Sequence, residues 1–97
     1  MTKIVIRSLI WVSWTIEHIK KHALSPEEVQ ESIEQFLAHK HGYKGRYVVI
    51  GRSGKRILSV IVKREYAGVY RVLTARDADR KERKLLYEKE RQKNTNI

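Results

Sequence analysis

The chain is 97 residues long, which is enough for one domain with one hydrophobic core. Hydrophobic residues make up 41% of it, a share that supports a modest core and excludes a disordered tail. It contains no cysteine, so disulfides and thiolate zinc sites are excluded, and a reducing cytoplasm is the expected compartment. No apolar run approaches the roughly 20 residues of a membrane span, and we expect no signal peptide.

The formal net charge of +10 is concentrated in the middle third of the chain. Residues 40–76 carry ten basic side chains and one acid, Glu65. Residues 1–39 carry four basic and five acidic side chains, and residues 77–97 carry seven and five. A polyphosphate gains affinity for such a segment by counterion release, so the pattern favours RNA as the partner. An acidic protein would gain affinity too, and charge alone does not separate the two.

The first elements in chain order are a strand and a helix. Residues 3–10 are β-branched and partly alternate, as in a strand. Ser13 is the expected N-cap of the helix that follows. Apolar residues then recur at helical spacing, and they predict a helix that runs to about His22.

A second helix has a strong start signal. Ser25 is the expected N-cap, Pro26 stands at the first helical position, and Glu28 closes a capping box. An apolar stripe follows the capping box. We expect this helix to end in the basic turn at residues 39–41, with Gly42 just beyond it.

Three strands are predicted next, at residues 46–51, 56–64 and 69–75. Ser53-Gly54 is a hairpin signal between the first two strands, and Ala67-Gly68 is a turn before the third. Strands joined by such short loops must pair antiparallel. The sequence therefore predicts a three-stranded meander.

A final helix begins at the Asp79 N-cap, with Glu82 closing a second capping box. The predicted order is β-α-α-β-β-β-α, an α+β fold with the helices on one side of an antiparallel sheet. We assign residues 1–92 to this single domain and expect residues 93–97 to fray.

Two histidines on the first helix are candidates for chemistry. His18 and His22 have the i, i+4 spacing of two helical zinc ligands, but no third ligand is evident, so we predict no metal site. A helix-end histidine that only packs or caps is one reading of His22. General acid–base work or phosphate contact is the other, because Lys21 and the helix end lie beside it.

Two arginines of the last predicted strand are candidates for phosphate binding. Arg71 interrupts an otherwise apolar strand face, where a charged side chain must be ion-paired or partly exposed to solvent. It forms either a structural ion pair with an acid such as Glu82 or a phosphate contact held by a rigid strand. Arg76 lies at the strand end with the opposite parity, so strand alternation alone does not bring the two together.

The last helix carries a basic and aromatic group, comprising Arg80, Arg83, Lys84 and Tyr87. An aromatic ring beside arginine suits stacking on a base, although Tyr87 could equally anchor the helix on the sheet. The sequence has no catalytic serine or cysteine arrangement and no acidic cluster for magnesium. Any phosphodiester chemistry should therefore be metal-free.

Several of these segments together resemble the BrnT family, the toxins of type II toxin–antitoxin pairs, whose fold is similar to that of RelE-type ribonucleases. The resemblance covers residues 9–88 and is most specific between Arg71 and Tyr87. The residues that carry it are Trp11, Lys21-His22-x-Leu24-Ser25-x-Glu27-Glu28-Val29, Arg46-Tyr47, Gly51-x-x-Gly54-x-Arg56-x-Leu58, Tyr70-Arg71-Val72-Leu73-Thr74-Ala75-Arg76-x-Ala78, Glu82-Arg83 and Tyr87.

The resemblance implies a metal-independent endoribonuclease without cofactor, in which a ribose 2′-hydroxyl attacks the adjacent phosphate. It also implies a cognate antitoxin, acidic or DNA-binding, that covers the basic face. The predicted catalytic residues are His22, Arg71, Arg76 and Tyr87. The predicted RNA-binding residues are Lys21, Arg46, Arg52, Lys55, Arg56, Arg80, Arg83 and Lys84. The alternative function is a non-catalytic basic module that binds RNA or an acidic protein.

Overall fold

The structure is a computed structural model that describes residues 4–95, so Lys3 of the first predicted strand and residues 96–97 of the predicted tail lie outside it. Its elements in chain order are β1 (Ser8–Ile10), α1 (Ser13–Lys20), α2 (Pro26–Glu34), β2 (Ala38–His41), β3 (Arg46–Ser53), β4 (Arg56–Tyr66), β5 (Val69–Asp77) and α3 (Arg80–Thr95). The three predicted strands of the meander and all three predicted helices are present. The strand predicted over residues 3–10 begins only at Ser8.

The sheet confirms the predicted α+β class and adds one feature to it. Its strand order is β1-β5-β4-β3-β2, and β2 to β5 pair antiparallel. By contrast, β1 pairs parallel to β5, which makes the sheet mixed rather than wholly antiparallel. A parallel pair requires a long crossover, and α1 and α2 lie within the connection that supplies it.

The helix end predicted at residues 39–41 is wrong. α2 ends at Glu34, and Ala38–His41 form the edge strand β2, paired with β3 from Ala38 opposite Ile50 to His41 opposite Tyr47. The sheet supplies these residues with backbone hydrogen-bond partners, and the Ala38 side chain is buried. Tertiary pairing thus overrides the local helix signal.

Two of the three predicted helix starts are confirmed in atomic detail. The Ser25 side chain accepts a hydrogen bond from the Glu28 amide, and the Glu28 carboxylate accepts one from the Ser25 amide. Asp79 and Glu82 form the same reciprocal pair at α3, at 2.8 and 2.9 Å. For α1 the prediction is wrong by one residue, because Val12 occupies the N-cap position and no side chain caps the helix.

The helices pack on both faces of the sheet, not on one as predicted. α1 and α2 cover the face that carries Val49 and Val60. On that face a Cβ at Gly51 would lie 2.0 Å from the carbonyl oxygen of Ser32, so only glycine allows α2 this close. α3 docks through Leu86 on the opposite face, against the residues of β3 and β4 that alternate with the first set.

Candidate functional site

α3 covers only part of its face of the sheet, and the row of Arg46, Lys63 and Arg71 is exposed. Cross-strand partners point to the same side of a sheet, so the register assigns side chains to faces. Three successive rows cross β3, β4 and β5 on this side: Ile50, Ser59 and Arg76; Val48, Ile61 and Thr74; and Arg46, Lys63 and Arg71. α3 lies over the first row, since Glu82 accepts a hydrogen bond from Ser59 and Leu86 packs with Ile50.

The open part of this side is strongly basic. Lys40 of β2 pairs with Val48 and extends the second row to the sheet edge. We call the set Lys40, Arg46, Lys63, Arg71 and Arg76 the basic face. These side chains come from four strands and are exposed or half-exposed to solvent. They form a surface that can bind a chain of phosphates.

A β-bulge places Arg71 and Arg76 on the same side. Ile61 pairs with Thr74 and the next residue, Val62, pairs with Val72, so Leu73 is an extra residue in β5. The insertion shifts the alternation by one position. The two arginines therefore face the same way despite an odd spacing, which strict alternation did not predict.

Glu82 is the buried anion beneath this surface. Its side chain is 1% exposed and binds Arg76 through two hydrogen bonds of 2.7 and 2.9 Å. The Ser59 hydroxyl donates to the same carboxylate at 2.8 Å, and the Lys40 ammonium lies 3.2 Å from it. Glu82, a predicted ion-pair partner of Arg71, thus binds Arg76 instead. These contacts attach the first turn of α3 to the sheet.

These contacts keep Glu82 ionised. Burial disfavours the charge, but it is outweighed by hydrogen bonds from Arg76, the Asp79 amide, Ser59 and Lys40, which lower the pKa of Glu82 to about 2. The carboxylate is therefore a fixed negative charge at neutral pH. Its role is to hold cations in place, because it has no proton to exchange in that range.

The remaining cations of the basic face differ in their partners. Arg71 pairs through its Nε with Glu65, at 3.4 Å. Arg46 and Lys63 make no ion pair with any residue in the range 4–95. Their charges are thus available to a ligand, whereas part of the charge of Arg71 is compensated.

His22 lies on the other side of the sheet from the basic face. Arg56 donates hydrogen bonds to the carbonyl oxygens of His22 and Ala23 and binds Asp77, whose cross-strand partner Leu58 belongs to the core under α1 and α2. The His22 ring contacts His18 at a centroid distance of 5.6 Å. The structure therefore separates His22 from Arg71 and Arg76.

Tyr87 is half-exposed on α3 and does not anchor the helix, since the adjacent Leu86 is the buried residue. The guanidinium of Arg52 lies 5.9 Å from the Tyr87 ring centroid. Arg52 also binds Glu90 through two hydrogen bonds, near the β3–β4 turn. Arg52 and Arg46 stand at opposite ends of β3, with the row of Ile50 between them. The ring of Tyr87 therefore lies on the flank of α3 that faces away from the basic face.

Of the predicted RNA-binding residues, Arg46 belongs to the basic face and the others lie outside it. Arg56 serves the packing of α1 and α2 against β4, and Arg83 donates to the Ala78 carbonyl oxygen. Lys21 follows α1, Lys55 lies in the β3–β4 turn, and Arg80 and Lys84 are exposed on α3. These four can extend an electrostatic field, but none of them belongs to the strand rows that form the basic face.

The sequence reasoning missed Lys40 and Lys63. Lys63 was predictable from the hairpin alone, because a turn at Gly54 and Lys55 sets Arg46 opposite Lys63. Lys40 was missed because its segment was assigned to a helix end. Among residues 4–95 no three histidine, aspartate or glutamate side chains are grouped as metal ligands would be. Within the same range no helix is long and apolar enough to cross a membrane.

Comparison with known proteins shows a likeness to a solved structure. No protein-family model matches the sequence, and no curated protein gives a significant match. Among solved structures, the chain is similar to the 1.1 Å crystal structure of the Brucella abortus ribonuclease toxin BrnT, with a TM-score of 0.61 and 27% sequence identity. The match covers 75% of this chain and 97% of that one. The fold is thus that of a small ribonuclease toxin. The chain has the BrnT-family toxin fold, and the resemblance predicted from the sequence is confirmed.

Proposed function

We propose that this protein is a ribonuclease toxin that cleaves RNA bound on the basic face, in the cytoplasm, and that a cognate antitoxin neutralises it. The observation that carries the proposal is the convergence of Lys40, Arg46, Lys63, Arg71 and Arg76 on one open side of the sheet. The similarity to a ribonuclease toxin supports the choice of RNA over an acidic protein as the ligand of this surface.

The proposed reaction is attack of a ribose 2′-hydroxyl on the adjacent phosphate, which forms a 2′,3′-cyclic phosphate and releases the 5′-oxygen of the next nucleotide. Negative charge builds on the phosphoryl oxygens in the transition state, and fixed cations stabilise it there. Arg76 and Arg71 are the proposed catalytic cations. Arg46 and Lys63 are proposed to bind flanking phosphates, because they are exposed and have no ion-pair partner in the described chain.

We propose His22 and Tyr87 as the residues that take the proton of the 2′-hydroxyl and give one to the leaving 5′-oxygen. Neither residue lies on the basic face, whereas a group that transfers a proton must come within hydrogen-bond reach of the reacting oxygen, so a lysine of the basic face is the competing candidate. The variants His22→Ala and Tyr87→Phe decide it. A variant that cleaves RNA as fast as the parent rules out its own residue, and if both variants do so, a lysine of the basic face or water transfers the proton.

The function is tested by tightly controlled expression with RNA integrity followed over minutes. We expect growth arrest and fragmented RNA with the parent chain, and neither with the Arg76→Ala variant. Purified parent protein should then yield fragments that end in a 2′,3′-cyclic phosphate. RNA binding without fragmentation would instead indicate the non-catalytic binding module.

The proposed chemistry needs no metal ion, so chelation should leave it intact. The proposal assigns charge stabilisation to arginine and lysine alone. We expect the initial rate of cleavage by purified protein to be the same with and without millimolar EDTA. Loss of cleavage in EDTA that zinc or magnesium restores would contradict the metal-free mechanism.

RNA binding should depend strongly on salt. Displacement of counterions by about five phosphate contacts gives a slope near −3.5 in a plot of log K against log salt, or about a hundredfold between 50 and 200 mM. The double variant Arg46→Ser/Lys63→Ser should reduce the slope by about 1.4, since it removes two contacts. The measurement is fluorescence anisotropy with a labelled single-stranded oligonucleotide. An unchanged slope would remove these two residues from the interface.

The proposed antitoxin covers the same surface. An acidic partner segment on the basic face would compete with RNA for the same cations. We therefore propose that the toxin–antitoxin complex neither binds nor cleaves RNA.

A further inference from the structure

The guanidinium of Arg76 has donors that the protein does not use. An arginine carries five N–H donors, and the contacts of Arg76 use three. Nη1 and Nη2 each donate to the Glu82 carboxylate, and Nη1 also donates to the Asp77 carbonyl oxygen at 3.3 Å. The Nε–H and the second N–H of Nη2 have no partner among the described residues. Both lie on one edge of the planar group and form a fork for two oxygens of a phosphate.

The free edge lies on the side of the guanidinium away from Asp77. Nη1 reaches Asp77, which is the next residue towards the end of β5. Within the planar group the Nε and Nη2 donors point away from that contact, and they lie on the side where Nη2 meets Glu82 Oε2. Lys40, a member of the second row, binds the same carboxylate oxygen, so a ligand on that edge would lie beside that row.

Lys40 converges on the same place. Glu82 Oε2 binds Arg76 Nη2 at 2.9 Å and the Lys40 ammonium at 3.2 Å, so the two cations flank one carboxylate oxygen. The Lys40 side chain is 48% exposed, and its ammonium has three donors, of which Glu82 takes one. A ligand can therefore bind the other donors without breaking the contact with Glu82.

We infer that the Nε and Nη2 edge of Arg76 and the ammonium of Lys40 form a subsite for one phosphate of RNA, the phosphate that is cleaved, and that Glu82 is the positioning residue that holds both cations. Identifying this phosphate as the one that is cleaved rests on the proposed function. Arg71 differs in how it is held, because its contact is a single approach of Nε to Glu65 at 3.4 Å. Arg76 is instead fixed by two hydrogen bonds to a buried carboxylate that also binds Lys40, so its free edge is the better positioned one.

The subsite can be tested by NMR without any cleavage. In protein labelled with 15N in arginine, the Arg76 Nε–H signal is assigned by its loss in Arg76→Lys. Saturating 2′-deoxy-substituted RNA, which cannot undergo the reaction, should shift this signal more than that of Arg71, and inorganic phosphate should shift it in the same direction. Binding of the oligonucleotide with an unmoved Arg76 signal would overturn the inference.

A kinetic cycle tests the role of Glu82 separately. Misplacement of a catalytic cation costs about a hundredfold in rate, so Glu82→Gln should lower the single-turnover rate constant by that order. In the Arg76→Ala background the same change should cost less than about tenfold, because residues that act through one another are not additive. Equal losses in the two backgrounds would mean that Glu82 only maintains the fold.

The two experiments distinguish this inference from the proposed function. A parent protein that leaves RNA intact but shows the Arg76 shift retains the phosphate subsite and loses the ribonuclease proposal. A parent that cleaves RNA while the Arg76 signal stays unmoved retains the ribonuclease proposal and loses the subsite.

Discussion

Arg76→Ala should lower the rate of RNA cleavage by about 10²–10³-fold, because a fixed cation on developing phosphoryl charge contributes roughly 3–4 kcal/mol to transition-state stabilisation. Arg71→Ala should lower it too, by a smaller factor, since a single 3.4 Å contact with Glu65 fixes Arg71 less firmly than two hydrogen bonds to Glu82 fix Arg76. An arginine in an ordinary surface ion pair contributes only about 0–1 kcal/mol. The measurement is the single-turnover rate constant on a labelled RNA, with toxicity in cells as the second measure.

The matched control is Arg64→Ala. Arg64 is exposed on β4, and its cross-strand partner Tyr70 belongs to the core on the other face of the sheet. The variant therefore removes the same type of side chain from the face opposite to the basic face. We expect its cleavage rate to stay within about twofold of the parent. Equal effects of Arg64→Ala and Arg76→Ala would mean that total charge, not the geometry of the basic face, determines activity.

The stability of the Arg76 variant must be measured alongside its activity. Removing Arg76 leaves Glu82 buried with fewer donors, at a cost of about 1–3 kcal/mol. Assays well below the melting temperature therefore compare folded proteins. Arg76→Lys retains a charge for Glu82 but loses the fork, so it should fold and still cleave slowly. Full activity in Arg76→Lys would contradict the requirement for two aligned donors.

The second large effect is loss of stability in acid. The pKa of Glu82 falls from its usual value of 4.5 to about 2 in the folded state, which corresponds to about 3 kcal/mol of stability. Because the folded-state pKa is the lower one, this stability is fully present above pH 4.5 and is lost as the pH falls towards 2. Free energies of unfolding from urea titrations across that range measure it.

Other carboxylates titrate in the same range, so the parent curve alone does not isolate Glu82. Hydrogen bonds from Arg56 lower the pKa of Asp77, and hydrogen bonds from Arg52 lower that of Glu90. The control is Glu82→Gln, which keeps the size of the side chain and removes its titration. The difference in unfolding free energy between parent and variant should shrink by about 3 kcal/mol between pH 4.5 and 2. A difference that is constant with pH would mean that Glu82 is not the titrating group.

Local signals in the sequence determined much of this protein. The start of α2 and that of α3 follow from capping boxes whose two residues stand three positions apart, and such bonds form within one turn of chain. The meander follows from short turns and alternating apolar residues. The excess of positive charge in residues 40–76 requires no three-dimensional information, and it predicts a negatively charged partner.

Only the tertiary structure decided how these parts meet. The segment 38–41 is a strand because β3 pairs with it, and that pairing brings Lys40 to Glu82. An inserted residue at Leu73 turns Arg71 to the side of Arg76, and no local signal marks that position. Sequence reasoning identified Glu82 as a helix cap and as a possible ion-pair partner of Arg71. Its buried carboxylate holds Arg76 and Lys40, because an ionised group excluded from water needs hydrogen-bond donors. The fold supplies these donors from strands β2, β4 and β5, which are distant from Glu82 or from one another in the sequence.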